Sequence, residues 1–272
     1  MDRIALVISD VDGTLVTTQK QVTERTQAAV AKLHARGIGF TLVSSRPPFG
    51  LRSLIATLGL RIPVAAFNGG ALATPDLAIL QQHPIARDVA GEIVDFLTAR
   101  SVGVWVFTTA EWLTRDADGA HVAHETMTVN QPPTVMRDFG TVIDRAIKIV
   151  GVSDDFTRLE AIETEAQANF AGKAAASRSQ RYYLDFVAPG IDKGFAVRAL
   201  SDATGIPLAE AITLGDMEND VPMFRQSGFS VAMGNATDSV KAQAKEATLS
   251  NDDDGFAAAI DRYVLTPAGH GE

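Results

Sequence analysis

Short apolar runs that stop abruptly at clusters of Asp, Ser or Asn recur along this chain, and stretches with apolar residues at helical spacing separate them. The first run, Ile4–Ser9, is nearly unbroken and ends at Asp10-Val11-Asp12-Gly13. A run without polar alternation is a strand covered on both faces, which places it centrally in a parallel sheet. Behind the N-cap residue Thr23, the segment Glu24–Ala35 reads as a helix up to Gly37, and Gly39–Val43 reads as a second buried strand leading into Ser44-Ser45-Arg46-Pro47. A helix over Phe49–Leu58 stops at Gly59, and a strand over Val64–Phe67 runs into Asn68-Gly69-Gly70. This rhythm predicts a doubly wound, Rossmann-like α/β parallel sheet.

After about His83 the rhythm changes. A helix over Asp88–Arg100, a strand over Val102–Phe107, short strand-like pieces, the loop Asn130-Gln131-Pro132-Pro133, a strand at Ile147–Val150, a helix over Asp155–Phe170 and a strand over Tyr182–Val187 read as α+β. In that helix Phe156, Leu159, Ile162, Ala166 and Phe170 form one apolar stripe. From Pro189 the alternation returns, with helices over Gly194–Thr204, Val221–Arg225, Asp238–Ala244 and Phe256–Val264 and strands at Ala211–Leu214 and Phe229–Ala232. The expected organisation is a core of residues 1–83 and 189–272 split by an inserted α+β domain of residues 84–188, with Pro84 and Ala188-Pro189-Gly190 at the crossings.

Composition narrows the function. The 272 residues are 46% hydrophobic and 21% charged, which fits a folded globular chain. With 24 Lys and Arg against 33 Asp and Glu, the net charge of −9 argues against a nucleic-acid partner and for a small solute. No cysteine is present, so disulfides, thiolate nucleophiles and cysteine metal sites are excluded. The opening apolar run Ile4–Ile8 is too short for a signal-peptide core, and no run approaches the ~20 residues of a membrane helix. A soluble cytoplasmic protein with no membrane partner is expected.

Asp10 with Asp12, Ser44, and Gly215-Asp216-Met217-Glu218-Asn219-Asp220 follow predicted core strands, where doubly wound sheets bind ligands; Lys193 opens a helix and would reach in on its long stem. In extended geometry Asp10 and Asp12, two apart, project to one side, and Gly13 lets the chain turn at once. Close carboxylates repel unless a cation intervenes. With Asp216 and Asp220 adding oxygens and no cysteine available, the site prefers a hard cation such as Mg²⁺. That cation, the Lys193 ammonium, the Ser44 hydroxyl and the amides of Val11 and Asp12 together suit a phosphoryl group.

At this point the chain resembles the haloacid dehalogenase superfamily, specifically its Cof-type phosphatases. Asp10-Val11-Asp12-Gly13-Thr14-Leu15 is similar to the first family motif, Ser44 to the second, Lys193 to the third and Gly215–Asp220 to the fourth, in the family's order and over nearly the full length. Asn68-Gly69-Gly70, Met233-Gly234-Asn235-Ala236 and Asn251-Asp252-Asp253-Asp254-Gly255 resemble further landmarks. One departure is Ser44-Ser45-Arg46, where the family usually has Thr-Gly-Arg. The resemblance implies a Mg²⁺-dependent phosphatase of small phosphate esters, sugar phosphates among them, with a cap formed by the insert. It implies Asp10 as nucleophile forming an aspartyl-phosphate, and Asp12 as acid and then base. Asp10, the Asp12 main-chain carbonyl, Asp216 and Asp220 would hold the metal. Ser44, Lys193 and Asn219 would hold phosphoryl oxygens, with Ser45, Arg46, Asn68 and Gly69 around the substrate. Competing readings are a phosphomutase or phosphotransferase, and a sensor that binds phosphate ligands without hydrolysis.

Other features have plainer readings. His121 and His124 lie three apart in a strand-like stretch with no third ligand and read as surface histidines. Asp252–Asp254 lacks the spaced ligands of a calcium loop and reads as a solvated turn.

Overall fold

Leu6, Val7, Ile8 and Ser9 are all fully buried, as an unbroken apolar run demands, and they form the strand around which the first layer assembles. A computed structural model describes residues 4–266. In chain order the first part comprises β1 (Leu6–Ser9), α1 (Glu24–Ala35), β2 (Gly39–Leu42), α2 (Arg52–Leu58), β3 (Val64–Ala66), β4 (Ala71–Ala73) and β5 (Ile79–Gln82). The middle comprises α3 (Arg87–Ala99), β6 (Gly103–Phe107), β7 (Trp112–Thr114), α4 (Val122–Val129), β8 (Thr134–Val135), β9 (Lys148–Val152), α5 (Phe156–Asn169), β10 (Ala175–Gln180) and β11 (Tyr183–Val187). The chain then returns with α6 (Lys193–Thr204), β12 (Ala211–Gly215), α7 (Val221–Phe224), β13 (Phe229–Ala232), α8 (Asp238–Lys241), β14 (Glu246–Ala247) and α9 (Gly255–Ile260).

The main sheet has the order β14-β13-β12-β1-β2, with every pairing parallel. Leu6 sits between Ala211 and Gly39, so strands from both ends of the chain flank β1. Alternate residues of β1 enter opposite layers: Val7 packs with Val30, Leu33 and Phe256, whereas Leu6 and Ile8 pack with Val197, Leu200 and Met223. This is the doubly wound α/β core that the sequence rhythm predicts.

The insert carries a second, six-stranded sheet of order β10-β11-β9-β6-β7-β8, antiparallel except between β7 and β8. One residue step separates its faces. Val104, Val106, Ile149, Leu184 and Phe186 join Leu97, Leu159 and Ile162 of its helices, while Trp105, Phe107, Val150 and Tyr183 pack toward the first layer.

Several local expectations change. The strand at Val64–Phe67 stops at Ala66, meets the main sheet by a single bridge from Ala65 to Val43 just beyond β2, and folds back into an antiparallel β3-β4-β5 sheet. The strand-like stretch around His124 is helical, with His121 at the N-cap of α4. In the α5 stripe Leu159, Ile162, Ala166 and Phe170 are buried, but Phe156 is half-buried with the Arg181 guanidinium 4.3 Å from its ring centre. The final α-helix ends at Ile260 and widens into a single π-helical turn at Asp261–Leu265. Among the described residues no helix is long and apolar enough to cross a membrane.

Candidate active site

Asp10 follows β1, and its amide still donates to the Leu214 carbonyl of the neighbouring strand at 2.9 Å. The chain then turns at once, because Leu15 and Val16 both donate to the carbonyl of buried Val11, at 3.0 and 3.1 Å. The turn therefore begins at Val11, ahead of the one expected after Gly13, and each of the two carboxylates meets its own partners. Lys193 is the first residue of α6, where Asp192 caps the helix by accepting from the Phe195 amide at 2.7 Å. From there the Lys193 ammonium donates to Asp10 Oδ1 at 2.6 Å and to Asp220 Oδ1 at 2.5 Å. Asp220 Oδ2 accepts from the amides of Asp216 and Met217 at 2.8 and 2.9 Å, which fixes the loop beyond β12. Asp216 accepts from Thr14 Oγ1 at 3.1 Å and from Asn235 Nδ2 at 3.2 Å. Gly13 makes this approach possible: its φ is +86°, and a Cβ there would lie 2.3 Å from Asp216 Oδ2.

The result is a concentration of negative charge. Carboxylate oxygens of Asp10, Asp216 and Asp220 lie within 4.8 Å of one another. Burial, reinforced by Asp220, pushes the Asp10 carboxyl up to about 7 despite Lys193. Burial and then Asp10 and Asp220 push Asp216 up to about 8. Burial opposes charge on Lys193, but Asp10 and Asp220 overcome it and hold the ammonium firmly protonated. One ammonium facing three carboxylates leaves a hard-oxygen cluster short of positive charge, a donor set that fits a divalent cation.

Asp12 stands apart from that cluster. It accepts from Arg46 Nε at 2.8 Å, from Arg46 Nη2 at 2.6 Å and from Lys20 Nζ at 2.7 Å. Burial works against its charge, yet Arg46 and then Lys20 hold the carboxyl well below the usual carboxylate range. Ser44 follows β2 beside the end of β1, since the Val43 amide donates to the Ser9 carbonyl at 2.9 Å. Its hydroxyl accepts from the Arg46 amide at 3.1 Å and its carbonyl accepts from the Asn68 amide at 2.8 Å. Asn68 and Gly69 occupy positive φ, at +57° and +105°, so the chain doubles back against α6. Asn68 and Asn219 join Lys193 in lining a cavity of about 320 Å³, and the side-chain oxygen of each Asn is buried without a partner.

Several residues here carry no signal in the linear sequence. Lys20 reaches Asp12 from a tight turn, and Glu125, Lys148 and Tyr182 of the insert line a polar recess with Asp12 and Arg46, joined there by His124, which had read as a surface histidine. Asp185 of β11 lines the 320 Å³ cavity, again with one buried unpartnered oxygen. His121, read as a surface histidine, lies 2.7 Å from Asp154 and stacks on Tyr182 with ring centres 4.2 Å apart. The turn at Asp252–Asp254 has Asp252 and Asp253 exposed, as expected of a solvated turn, and its start also braces the segment after the first motif. Asp252 accepts from the Thr18 amide at 2.8 Å, and Asn251 Nδ2 donates to the Val16 carbonyl at 2.9 Å.

A parallel α/β sheet with a carboxylate–ammonium cluster beyond its strand ends defines a ligand site of the enzyme type. Residues 7–260 match the family of haloacid dehalogenase-like hydrolases, and the chain belongs to that family. It is 28% identical over 228 residues to the HMP-PP phosphatase of Cronobacter sakazakii, covering 84% of this chain and 83% of that one. It is 25% identical over 280 residues to the 5-amino-6-(5-phospho-D-ribitylamino)uracil phosphatase of Bacillus subtilis, covering 94% and 96% respectively. A crystal structure of a haloacid dehalogenase-like hydrolase from Bacteroides thetaiotaomicron superposes with a TM-score of 0.85 at 29% identity, covering 96% of this chain and 99% of that one.

Proposed function

We propose that the protein is a cytoplasmic, Mg²⁺-dependent phosphatase that hydrolyses small phosphorylated metabolites, sugar phosphates above all, through an aspartyl-phosphate intermediate. The observation that carries this reading is the set of buried Asp10 and Asp220 with half-buried Asp216, oxygens within 4.8 Å of one another and Lys193 Nζ 2.6 Å from Asp10. Asp10, the main-chain carbonyl of Asp12, Asp216 and Asp220 are the groups that would hold Mg²⁺, Asp220 directly or through water. When bound, the ion supplies positive charge that offsets the repulsion between the nucleophile and the phosphoryl oxygens.

Lys193 holds one oxygen of Asp10, and the other attacks phosphorus, forming the acyl-phosphate as the ester P–O bond breaks. Asp12 gives its proton to the departing alkoxide. In the second half-reaction Asp12 takes a proton from water, the hydroxide oxygen bonds phosphorus, and the Asp10 carboxylate leaves with release of phosphate. With Arg46 and Lys20 on it, Asp12 is in the base form. Its acid form requires one of these cations to move aside. Ser44, Lys193, Asn219 and the amides of Val11 and Asp12 hold phosphoryl oxygens, and Ser45, Arg46, Asn68 and Gly69 frame the substrate. Residues 84–188 act as the cap, a role supported by the Arg46 Nη1 bond to the Thr128 carbonyl at 3.2 Å.

Sugar phosphates are favoured because Asn68 Oδ1, Asp185 Oδ1 and Asn219 Oδ1 are buried acceptors without partners, and their residues line one cavity. Hydroxyl groups supply the missing donors. The test is phosphate release from sugar phosphates, nucleotides and cofactor phosphates, with Mg²⁺ and after chelation, with acid quenching to trap labelled phosphoenzyme. Mg²⁺-dependent release with label on Asp10 is expected. Release that survives chelation with no covalent label overturns the reading. Transfer of label to a sugar hydroxyl instead of water indicates a mutase, and ester binding without turnover indicates a sensor.

A further inference from the structure

Two bonds of opposite direction join the insert to the loop that carries Ser44 and Arg46. Arg46 reaches outward, and its Nη1 donates at 3.2 Å to the Thr128 carbonyl in the last turn of α4. Lys148, the first residue of β9, reaches inward, and its Nζ donates to the Ser45 carbonyl at 3.0 Å. Lys148 is 4% exposed, and its second partner is Asp185 Oδ2 at 3.3 Å. Its ammonium lies 4.9 Å from the ring centre of Phe107.

Stability alone does not account for a lysine here. Taking a Lys–Asp pair out of water offsets most of the attraction between the charges, and apolar residues of similar volume serve a core as well. Strand alternation puts position 148 on the face where Val150 and Val152 pack against the first layer, so an apolar side chain would simply continue that face. The lysine instead carries a donor across the seam to a carbonyl flanked by two site residues. The other main-chain ties of this loop come from β3 and the turn after it: Ser44 to the Ala65 carbonyl at 3.0 Å, Phe67 to the Arg46 carbonyl at 3.0 Å and Asn68 to the Ser44 carbonyl at 2.8 Å.

We infer that Lys148 is a positioning residue: by holding the Ser45 carbonyl, it sets the Ser44 hydroxyl and the Arg46 guanidinium, and through Arg46 the Asp12 carboxylate, when the second sheet is seated on the first layer. Lys148 does not touch the reacting atoms, and this role rests on the phosphatase reading. Its effect therefore falls on the rate of the chemical steps more than on substrate binding, because small misplacements of reacting groups cost rate steeply.

The test compares the full chain with Lys148→Met, Arg46→Met and the double variant. Turnover of phenyl phosphate and ribitol phosphate is measured with Mg²⁺, and backbone hydrogen exchange is read across residues 44–46. Lys148→Met is expected to lower kcat by about tenfold to a hundredfold with KM changed less than about threefold. Exchange should accelerate at 44–46 and stay unchanged over α1. In the Arg46→Met background the same substitution should lower kcat by clearly less than in the parent, since the part of its effect that runs through Arg46 and Asp12 is already lost and only the part through Ser44 remains. A folded Lys148→Met protein with unchanged kcat and unchanged exchange at 44–46 overturns the inference, and so does a loss that multiplies fully with that of Arg46→Met. Should the parent chain release no phosphate from any ester, the phosphatase reading fails alone. The exchange comparison then decides the tie by itself: acceleration confined to 44–46 upholds it, and no change overturns it.

Discussion

At the scale of single residues, the carboxylates in the cluster differ in what they give to the fold. Asp220 has both oxygens occupied by Lys193 and by two loop amides, whereas Asp10 meets only the ammonium. Asp10→Asn keeps the shape and removes a buried charge, so it should leave the thermal midpoint equal to or above that of the parent while lowering kcat at least about a thousandfold. Calorimetry beside a phosphate-release assay checks both halves. Asp10 and Asp216 were legible in the sequence because each follows an apolar run that marks a strand end in a parallel sheet, whereas Lys193 and Asp220 were legible only together with them, through the motifs that resemble the haloacid dehalogenase superfamily. Lys20, Lys148 and Asp185 were not. Each is a lone charged residue whose meaning comes from a partner 8, 103 or 37 positions away, and no local pattern encodes such a distance.

At the scale of elements, the placement of Lys193 depends on how α6 begins. Asp192→Ala removes the cap on the Phe195 amide, which should cost about 1 kcal/mol of stability and let the first turn fray, reducing kcat as the ammonium loses its fixed origin. Urea unfolding and steady-state kinetics on the same preparation separate the two effects. In the insert, Leu159 is fully buried between α5 and the second sheet, so Leu159→Ala should cost about 3 kcal/mol, read as a lowered urea midpoint. Elements with strong periodicity, such as α5 and β13, were readable within a residue or two. The β3-β4-β5 sheet was only partly readable, since β5 is exposed along its whole length and its Ile79-Leu80-Gln81-Gln82 does not alternate between apolar and polar residues. The turn at Val11 was likewise hidden, because an extended strand and a turn accept the same Asp-Val-Asp-Gly sequence.

For the whole molecule, the surplus of carboxylates ties folding to pH and to cations. Asp10 and Asp216 hold their protons up to about 7 and about 8, while in the unfolded chain both lose them near 3.8. Between these values the folded state carries the extra protons, so stability of the cation-free protein falls as pH rises. A lower thermal midpoint at about pH 8 than at about pH 5 in chelator is expected, and Mg²⁺ should raise the midpoint most at the higher pH. Scanning calorimetry across pH with and without the ion checks the slope; a midpoint that climbs with pH in chelator contradicts it. Lys193 adds a last consequence. It hangs between two posts, Asp10 on one side and Asp220 on the other, with Nζ 2.6 and 2.5 Å from them. In the proposed mechanism, phosphorylation of Asp10 to the acyl-phosphate would loosen only one mooring. The second would keep the ammonium at its station through both halves of the proposed cycle, so the pocket would not have to be rebuilt between the arrival of an ester and the departure of inorganic phosphate.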